Sequence, residues 1–571
     1  MTKFAEENYK KWLESENVSK EDKEILKNMT EAEKDDAFFK DIEFGTGGLR
    51  GVIGPGTNRI NVQIVSKITC GFGLYLIRKY PDAKERGVVI SHDNRHMSRE
   101  FTLTIVDILN RLGINTYIFD SLRPTPELSF AVRRLHTIAG IMITASHNPK
   151  EYNGYKAYDE TGCQYVPEVM EEIIKVVDSL GDLLNVKVPE ADVKGKNVIL
   201  GKEIDDEYIT LVKGAQVNPN LSKKDFRIVY TPNHGASFMP VMRVLKELGY
   251  DVVNVPESSM PNPDFSGVKS PNPEDAVAYE GPIALAKKVN ADVVLMTDPD
   301  GDRLGVASRG KDGEYTLLTG NETAALLLDY ILKNKKERGE LDDKSVMITT
   351  VVTSGLGKEI CDRYGVKTLE VLTGFKYIGE KIHEFEEQKD GLRYVFGYEE
   401  SYGCLYLPFV RDKDATQAVL LYAELALYYK SLGMDLAEAY KKLCEPYGFH
   451  KAKVFSVFFK GSDGNAKMNA LLSEVMANPF TELYGKKVKI VENYRVLARK
   501  HLDSGLEEKI VGVPKTDLIK FIFEDNSTLA MRPSGTEPKC KFYIEIVEND
   551  VENVMTRISE FFECFKKHYN F

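Results

Sequence analysis

No run of about eighteen apolar residues occurs anywhere in the 571-residue chain, so no transmembrane span is expected. Cysteine is sparse, seven in all, and none stands in CxxC spacing. That argues against a disulfide framework or a zinc site and for a reducing, cytoplasmic setting. Positive charge is in deficit: Lys and Arg number 76 against 87 Asp and Glu, a formal net charge of −11. General nucleic-acid binding is therefore disfavoured, and any anionic ligand requires basic groups concentrated locally. The N-terminal stretch MTKFAEENYKKWLESENVSKEDKEIL is charged throughout and lacks the apolar core of a secretion signal. What remains is the composition of a globular protein, 43% hydrophobic and 29% charged, long enough for about three or four domains. The expected partners are small molecules, with no membrane or nucleic acid, for a monomer or homodimer.

Residues 1–40 read as helices rich in Glu and Lys. After them one pattern recurs three times: a β-rich run, a polar loop, a helix, a Gly turn, a second strand, then a third strand that ends in a functional loop. The copies run from GVVISHDNR to IAGIMITASHNP, from FRIVYTPNHG to ADVVLMTDPDGDR, and from SVMITTVVTSG to LRYVFGYEESYG. Strands apolar on both faces, alternating with helices, predict largely parallel, covered sheets with ligands at the strand carboxyl ends. From about Phe449 the pattern changes to a mostly antiparallel sheet with helices. The expected boundaries are 1–205 for the helical extension and first domain, then 206–315, 316–447 and 448–571.

Four loops carry chemistry. In TDPDGDR, Thr297–Arg303, the acids Asp298, Asp300 and Asp302 alternate, and Pro299 and Gly301 bend the segment. Three carboxylates so close repel one another unless a cation neutralises them, and an all-oxygen set suits a hard ion such as Mg²⁺. An EF-hand is excluded, because Arg303 and Arg309 stand where its Gly and Glu would fall. A solvated acidic turn is the alternative, and the apolar strand feeding the loop argues against it. In TASHNPKEYNGYKAY, Thr144–Tyr158, a hydrophobic run delivers Ser146 and His147, and Pro149 forbids a simple continuation of the strand. Asn153-Gly154 predicts a tight turn that folds Lys156 back toward the serine. The G-x-S-x-G elbow of a hydrolase is missing. Alone, Ser146 reads as an N-cap or turn hydroxyl; beside the aspartates it reads as a phosphoryl carrier.

In GYEESYG, Gly397–Gly403, the groups Glu399, Glu400 and Ser401 suit sugar hydroxyls, though an exposed acidic turn reads equally well. Downstream, Arg411 and Lys413 in FVRDKDA are either functional or ordinary surface charges. In RPSGTEPK, Arg532–Lys539, Arg532 offers a planar fork for a phosphate, Ser534 and Thr536 offer hydroxyls, and Gly535 lets the backbone approach an anion. A plain β-turn is the alternative there. A nucleophile, a metal and a remote phosphate clamp together point to phosphoryl transfer on a small phosphorylated molecule.

These motifs, in this order and with FGTGGLRG at Phe44–Gly51, resemble those of the α-D-phosphohexomutase superfamily, and the likeness runs from Phe44 onward. The resemblance implies three related α/β domains with mixed sheets and a smaller C-terminal α+β domain, arranged around a central cleft. It implies an intramolecular phosphotransferase of the isomerase class acting on glucose phosphates, with glucose 1,6-bisphosphate as intermediate and activator. Mannose or pentose phosphates are the alternative substrates; a metal-dependent sugar phosphatase or a sugar-phosphate sensor is a more distant one. Ser146 would be the phosphoserine and a ligand, with Asp298, Asp300 and Asp302, to Mg²⁺. His147 and Lys156 would be acid/base groups, and Arg50 a phosphate or substrate contact. Glu399, Ser401, Lys413, Arg411 and Lys376 of LTGFK would bind the sugar. Arg532, Ser534, Gly535 and Thr536 would take the distal phosphate.

Overall fold

The computed structural model describes all residues except 46, 389–390, 460–463, 535–538 and 550–552. The chain divides into two compact units, Met1–Gly320 with Phe375–Asp435, and Asn321–Gly374 with Leu436–Phe571.

The first unit opens with helices Lys3–Glu14, Lys20–Asn28 and Glu31–Phe38, as the Glu/Lys pattern predicts. Thr2, Ser19 and Thr30 cap them, each accepting a backbone N–H of the first turn. Their apolar residues Trp12, Leu26 and Phe38 form a small core with Leu184, and the Trp12 and Phe38 rings meet edge to face at 5.9 Å.

A six-stranded sheet follows, in the order Leu49–Val52, Tyr152–Asp159, Ala139–Ile143, Val88–His92, Thr116–Phe119, Asn197–Leu200. Val88–His92 lies parallel to both neighbours, whereas Tyr152–Asp159 runs antiparallel to Ala139–Ile143. In the parallel register His92 stands opposite Ile143. The loops after these two strands therefore start side by side.

The five-stranded second sheet has the order Tyr315–Leu318, Leu304–Arg309, Val293–Thr297, Arg227–Thr231, Asp251–Asn254. Val293–Thr297 is buried throughout, and Leu304 pairs back onto Thr297. The aspartate segment is thus a hairpin connection. These sheets are mixed rather than largely parallel, because each functional strand turns back on itself through its loop. The same unit holds the hairpin Arg393–Tyr398 with Cys404–Leu405 and the helix Ala415–Ser431, capped by Asp414.

In the second unit Ser345–Thr350 pairs in parallel with Lys367–Val371, and helix Leu356–Tyr364 connects them. The C-terminal sheet is antiparallel in every described pairing, from the edge strand Phe449–Phe458 through Lys539–Glu548, Thr528–Pro533 and Ile519–Phe523 to Lys486–Asn493 and beyond. Its core is aromatic: Phe480 stacks on Phe521 at 4.2 Å, and from the closing helix Val554–Tyr569 Phe565 packs on Phe480, Phe561 on Phe523 and Phe562 on Phe542.

Candidate active site

Ser146 is buried and holds a φ of 52°, in the left-handed region. That conformation costs a non-glycine residue about 1–2 kcal/mol, so something must hold it. Its N–H donates to Thr144 Oγ1 at 2.8 Å. Its Oγ donates to Asp298 Oδ2 at 2.9 Å and stands 3.3 Å from His147 Nδ1. The serine loop and the aspartate hairpin, read separately in the sequence, meet at this hydrogen bond.

Asp298, Asp300 and Asp302 are all buried, and each offers an oxygen within 4.8 Å of the others. Asp298 Oδ1 accepts the N–H groups of Asp302 and Arg303 at 3.1 and 3.0 Å, which fixes the curl of the loop. Asp300 Oδ2 accepts from Lys156 Nζ at 2.7 Å. Asp300 Oδ1 and Asp302 Oδ1 are buried with no hydrogen-bond partner among the described residues. Two orphaned carboxylate oxygens in a buried cluster of three acids fit a hard divalent cation. Burial, Asp300 and Asp302 push the Asp298 carboxyl well above the usual carboxylate range. Burial also opposes the charge on Asp300, but Lys156 outweighs it and holds that carboxyl low.

Lys156 arrives by a route different from the expected one. Asn153-Gly154 is no turn: both residues lie inside strand Tyr152–Asp159, and the chain reverses before it, between Ser146 and Glu151. Asn153 is captured by its surroundings, donating to His96 O at 2.9 Å and Ser98 Oγ at 3.0 Å. Gly154 permits close packing, since a Cβ there would sit 2.4 Å from Thr144 O and 2.5 Å from Leu49 O. Strand alternation then sends Lys156 and Tyr158 to one face, where Tyr158 Oη donates to Asp412 Oδ2 at 2.9 Å.

Lys413 completes the cluster. Its Nζ lies 3.3 Å from Asp302 Oδ2, 3.1 Å from Asp412 Oδ1 and 4.0 Å from Glu399 Oε2. Burial works against its charge, but these three acids hold the ammonium above its ordinary range. Gly403 makes the room: a Cβ there would meet the Lys413 stem at 2.0 Å. The GYEESYG turn docks on the aspartate hairpin, with Tyr402 O accepting from Leu304 N at 3.0 Å, and Ser401 is half-buried in it. Arg50 reaches Asn148 Oδ1 at 3.2 Å from its strand beside the serine loop. Burial and the cationic Arg303 and Arg50 push His147 down to about 2, so its imidazole is neutral at pH 7.

Neither Arg411 nor Lys413 is a surface charge. Arg411 is fully buried, and its guanidinium donates to Pro408 O, to Val410 O at 3.2 Å and to Glu386. It braces the segment that carries Lys413. Lys376 is half-buried in helix Phe375–Glu387, its Nζ 5.4 Å from the Tyr377 ring. Arg532 and Ser534 are half-buried in the second unit, Arg532 near the end of strand Thr528–Pro533 and Ser534 just beyond it. Gly535 and Thr536 lie outside the described residues.

Sequence reasoning missed Asp93, Arg95, Thr125 and Asp412. Thr125 donates its N–H to Asp300 O at 2.8 Å and its hydroxyl to Asp300 Oδ2 at 3.2 Å. Asp93 and Arg95 are a buried ion pair at 3.1 Å beneath the serine loop. Their signal was an acid and an arginine two residues apart at the end of an apolar strand, in HDNR.

Comparison with known proteins finds relatives over nearly the whole chain. Four domain profiles match, described as Phosphoglucomutase/phosphomannomutase, alpha/beta/alpha domains I, II and III and C-terminal domain, over residues 41–182, 206–311, 319–447 and 486–557. The phosphoglucomutase of Staphylococcus aureus strain USA300 is 36% identical over 550 residues, covering 96% of this chain and 97% of that protein. The same figures hold for that of strain N315. Among solved structures, a phosphoglucomutase/phosphomannomutase family protein from Burkholderia thailandensis gives a TM-score of 0.67 at 19% identity, covering 92% of this chain and 97% of that one. The Paramecium phosphoprotein pp63/parafusin, a phosphoglucomutase, gives 0.66 at 18%, with 93% and 96% covered. At such identities the structural likeness speaks to fold alone.

Proposed function

The chain belongs to the phosphoglucomutase/phosphomannomutase family, and from that premise we propose that it interconverts glucose 1-phosphate and glucose 6-phosphate through phosphorylated Ser146. The observation that carries this reading is the 2.9 Å contact between Ser146 Oγ and Asp298 in a buried triad of aspartates. It is an isomerase of the phosphohexomutase type, and sugar phosphates are its substrates. Its four domains are assigned to 1–205, 206–315, 316–447 and 448–571, carrying in turn the serine, the aspartates, the sugar loop and the distal-phosphate loop.

Asp298, Asp300 and Asp302, with a phosphoserine oxygen, are the ligands proposed for Mg²⁺. When bound, the ion neutralises the triad and draws charge from the phosphoryl oxygens. In the first half-reaction a sugar hydroxyl oxygen bonds to phosphorus as the bond from phosphorus to Ser146 Oγ breaks. His147, beside Oγ, and Lys156, on Asp300, are the acid/base groups: one proton leaves the sugar hydroxyl and one arrives at Oγ as the serine is released. Arg50 steadies the phosphoryl group. Glu399, Ser401, Lys376 and Lys413 hold the sugar, while Arg532, Ser534, Gly535 and Thr536 hold the phosphate that is not reacting. The glucose 1,6-bisphosphate so formed then reorients and returns its other phosphate to Ser146. Unpaired thiols at all seven cysteines fit a cytoplasmic enzyme.

A coupled assay comparing glucose, mannose and ribose 1-phosphates tests the substrate, with glucose expected to turn over fastest. Intact-mass measurement is expected to show one phosphoryl group, removable by glucose 6-phosphate and missing from Ser146→Ala, which loses turnover. A Ser146→Ala enzyme with near-normal activity overturns the reading, and faster turnover of mannose or ribose phosphate reassigns the sugar.

A further inference from the structure

The phosphoserine reading leaves one question open: what keeps a serine in a left-handed conformation through repeated gain and loss of a charged group? The loop around Ser146 contains no glycine from Thr144 to Asn153 that would relieve that strain. The hold comes from below. The Arg95 guanidinium is buried and donates to four carbonyls of one loop: Ser146 O and Asn148 O at 2.6 Å, Pro149 O at 2.7 Å and Tyr152 O at 3.0 Å. It thus ties the start of the loop to its end. Its Nε donates to Asp93 Oδ2 at 3.1 Å.

Asp93 extends the hold to the other side of the serine. Its Oδ1 accepts from Arg95 N and Ser98 Oγ, both at 3.0 Å. Its Oδ2 accepts from Thr144 Oγ1 at 2.6 Å, and that hydroxyl oxygen in turn accepts the Ser146 N–H at 2.8 Å. The amide before the serine side chain and the carbonyl after it are therefore both fixed by one buried ion pair. From the second α/β domain, the Phe265 ring closes over the guanidinium at 5.3 Å. A buried ion pair carries a large desolvation penalty and is weak evidence of stabilisation by itself. Its directional bonds, however, fix geometry closely.

Resting on the phosphoserine reading, we propose that Asp93, Arg95 and Thr144 are positioning residues for phosphoryl transfer. They hold Ser146 so that Oγ faces the aspartate triad in both its free and its phosphorylated states. None of them touches the reacting atoms; they act through the serine backbone. Misplacing a reacting atom by about 1 Å can lower a rate by roughly 10²-fold, which sets the scale of their effect.

Thr144 gives the sharpest test, because Thr144→Val removes the linking hydroxyl at nearly constant volume, while Thr144→Ser keeps it. The full-length dephospho-enzyme is mixed with glucose 1,6-bisphosphate, and phosphorylation of Ser146 is followed by intact mass in single turnover, beside steady-state kinetics and Tm. For Thr144→Val the phosphorylation rate constant and kcat are expected to fall about 10–100-fold with KM changed less than about threefold. Thr144→Ser is expected to recover most of both. A merely structural role lowers the amplitude of phosphorylation through loss of folded enzyme and leaves the rate constant of the remainder unchanged, and that result overturns the proposal. Equal losses in Thr144→Val and Thr144→Ser overturn it as well. Should Thr144→Val fail to fold, Arg95→Lys, which keeps the charge and loses most of the carbonyl contacts, is read by the same rate constant. If the wild-type enzyme takes no phosphoryl group on Ser146, the phosphoserine reading itself fails.

Discussion

His450 and Glu545 make a pH-dependent lock within the second unit. His450, on strand Phe449–Phe458, is buried with Nδ1 3.0 Å from Glu545 Oε1 and Nε2 3.7 Å from Glu359 Oε2. Glu545 also accepts from Gly355 N at 2.9 Å and from Ser354 Oγ, and so ties the C-terminal sheet to the start of helix Leu356–Tyr364. Burial lowers the affinity of His450 for its proton, but Glu545 and Glu359 outweigh it and raise its pKa from 6.5 to about 9. Because the folded value lies above the unfolded one, the stabilisation is fully present below about pH 6.5 and is lost as pH rises through about 9. A shift of that size corresponds to ~3 kcal/mol. For a unit of this size it amounts to roughly 6–12 °C in Tm. Calorimetry of the full chain at pH 6 and pH 9, for wild type and His450→Gln, separates this term from the general effect of pH. The wild-type transition of this unit is expected to fall by several degrees more than that of the variant. Equal shifts in the two proteins would show that the imidazole carries no extra proton in the folded state.

Asp300→Asn removes a negative charge from the proposed Mg²⁺ ligands and from the partner of Lys156, so the Mg²⁺ concentration for half-maximal activity is expected to rise at least about tenfold. Chelation is expected to stop the wild-type enzyme and Mg²⁺ to restore it; turnover that survives thorough chelation removes the metal from the mechanism. Arg532→Ala is expected to raise KM and lower kcat together, because a remote grip on phosphate also orients the reacting hydroxyl. Added glucose 1,6-bisphosphate is expected to restore part of that loss by rephosphorylating enzyme that has released its intermediate. Unchanged constants with no bisphosphate dependence would reduce the RPSGTEPK loop to a turn.

The triad and the serine were legible because their chemistry is written in consecutive residues. An apolar strand that ends in three acids, and another that ends in Ser-His, need no tertiary information to be singled out. The repeated strand and helix pattern was legible for a related reason: buried parallel strands are continuous apolar runs. What the sequence hid was every choice made by a distant partner. Asn153-Gly154 has the composition of a turn, yet Ser98 and the His96 carbonyl capture the Asn side chain, while Thr144 and Leu49 leave space for nothing larger than Gly154. Composition states what a residue pair can do, and here the neighbouring strands select the extended option. Arg411 and Lys413 look like solvated charges in FVRDKDA, because Glu386 and Asp302, which receive them, lie elsewhere in the chain. Arg95 is the extreme case. Four of its five acceptor groups are backbone carbonyls, and a carbonyl is the same atom in every residue. No residue type near Ser146 could announce that its carbonyl is held. The only sequence trace of the brace is the arginine itself, set two places after an acid where a buried strand ends. An arginine in that position cannot reach solvent and must find acceptors in the loops that start beside it.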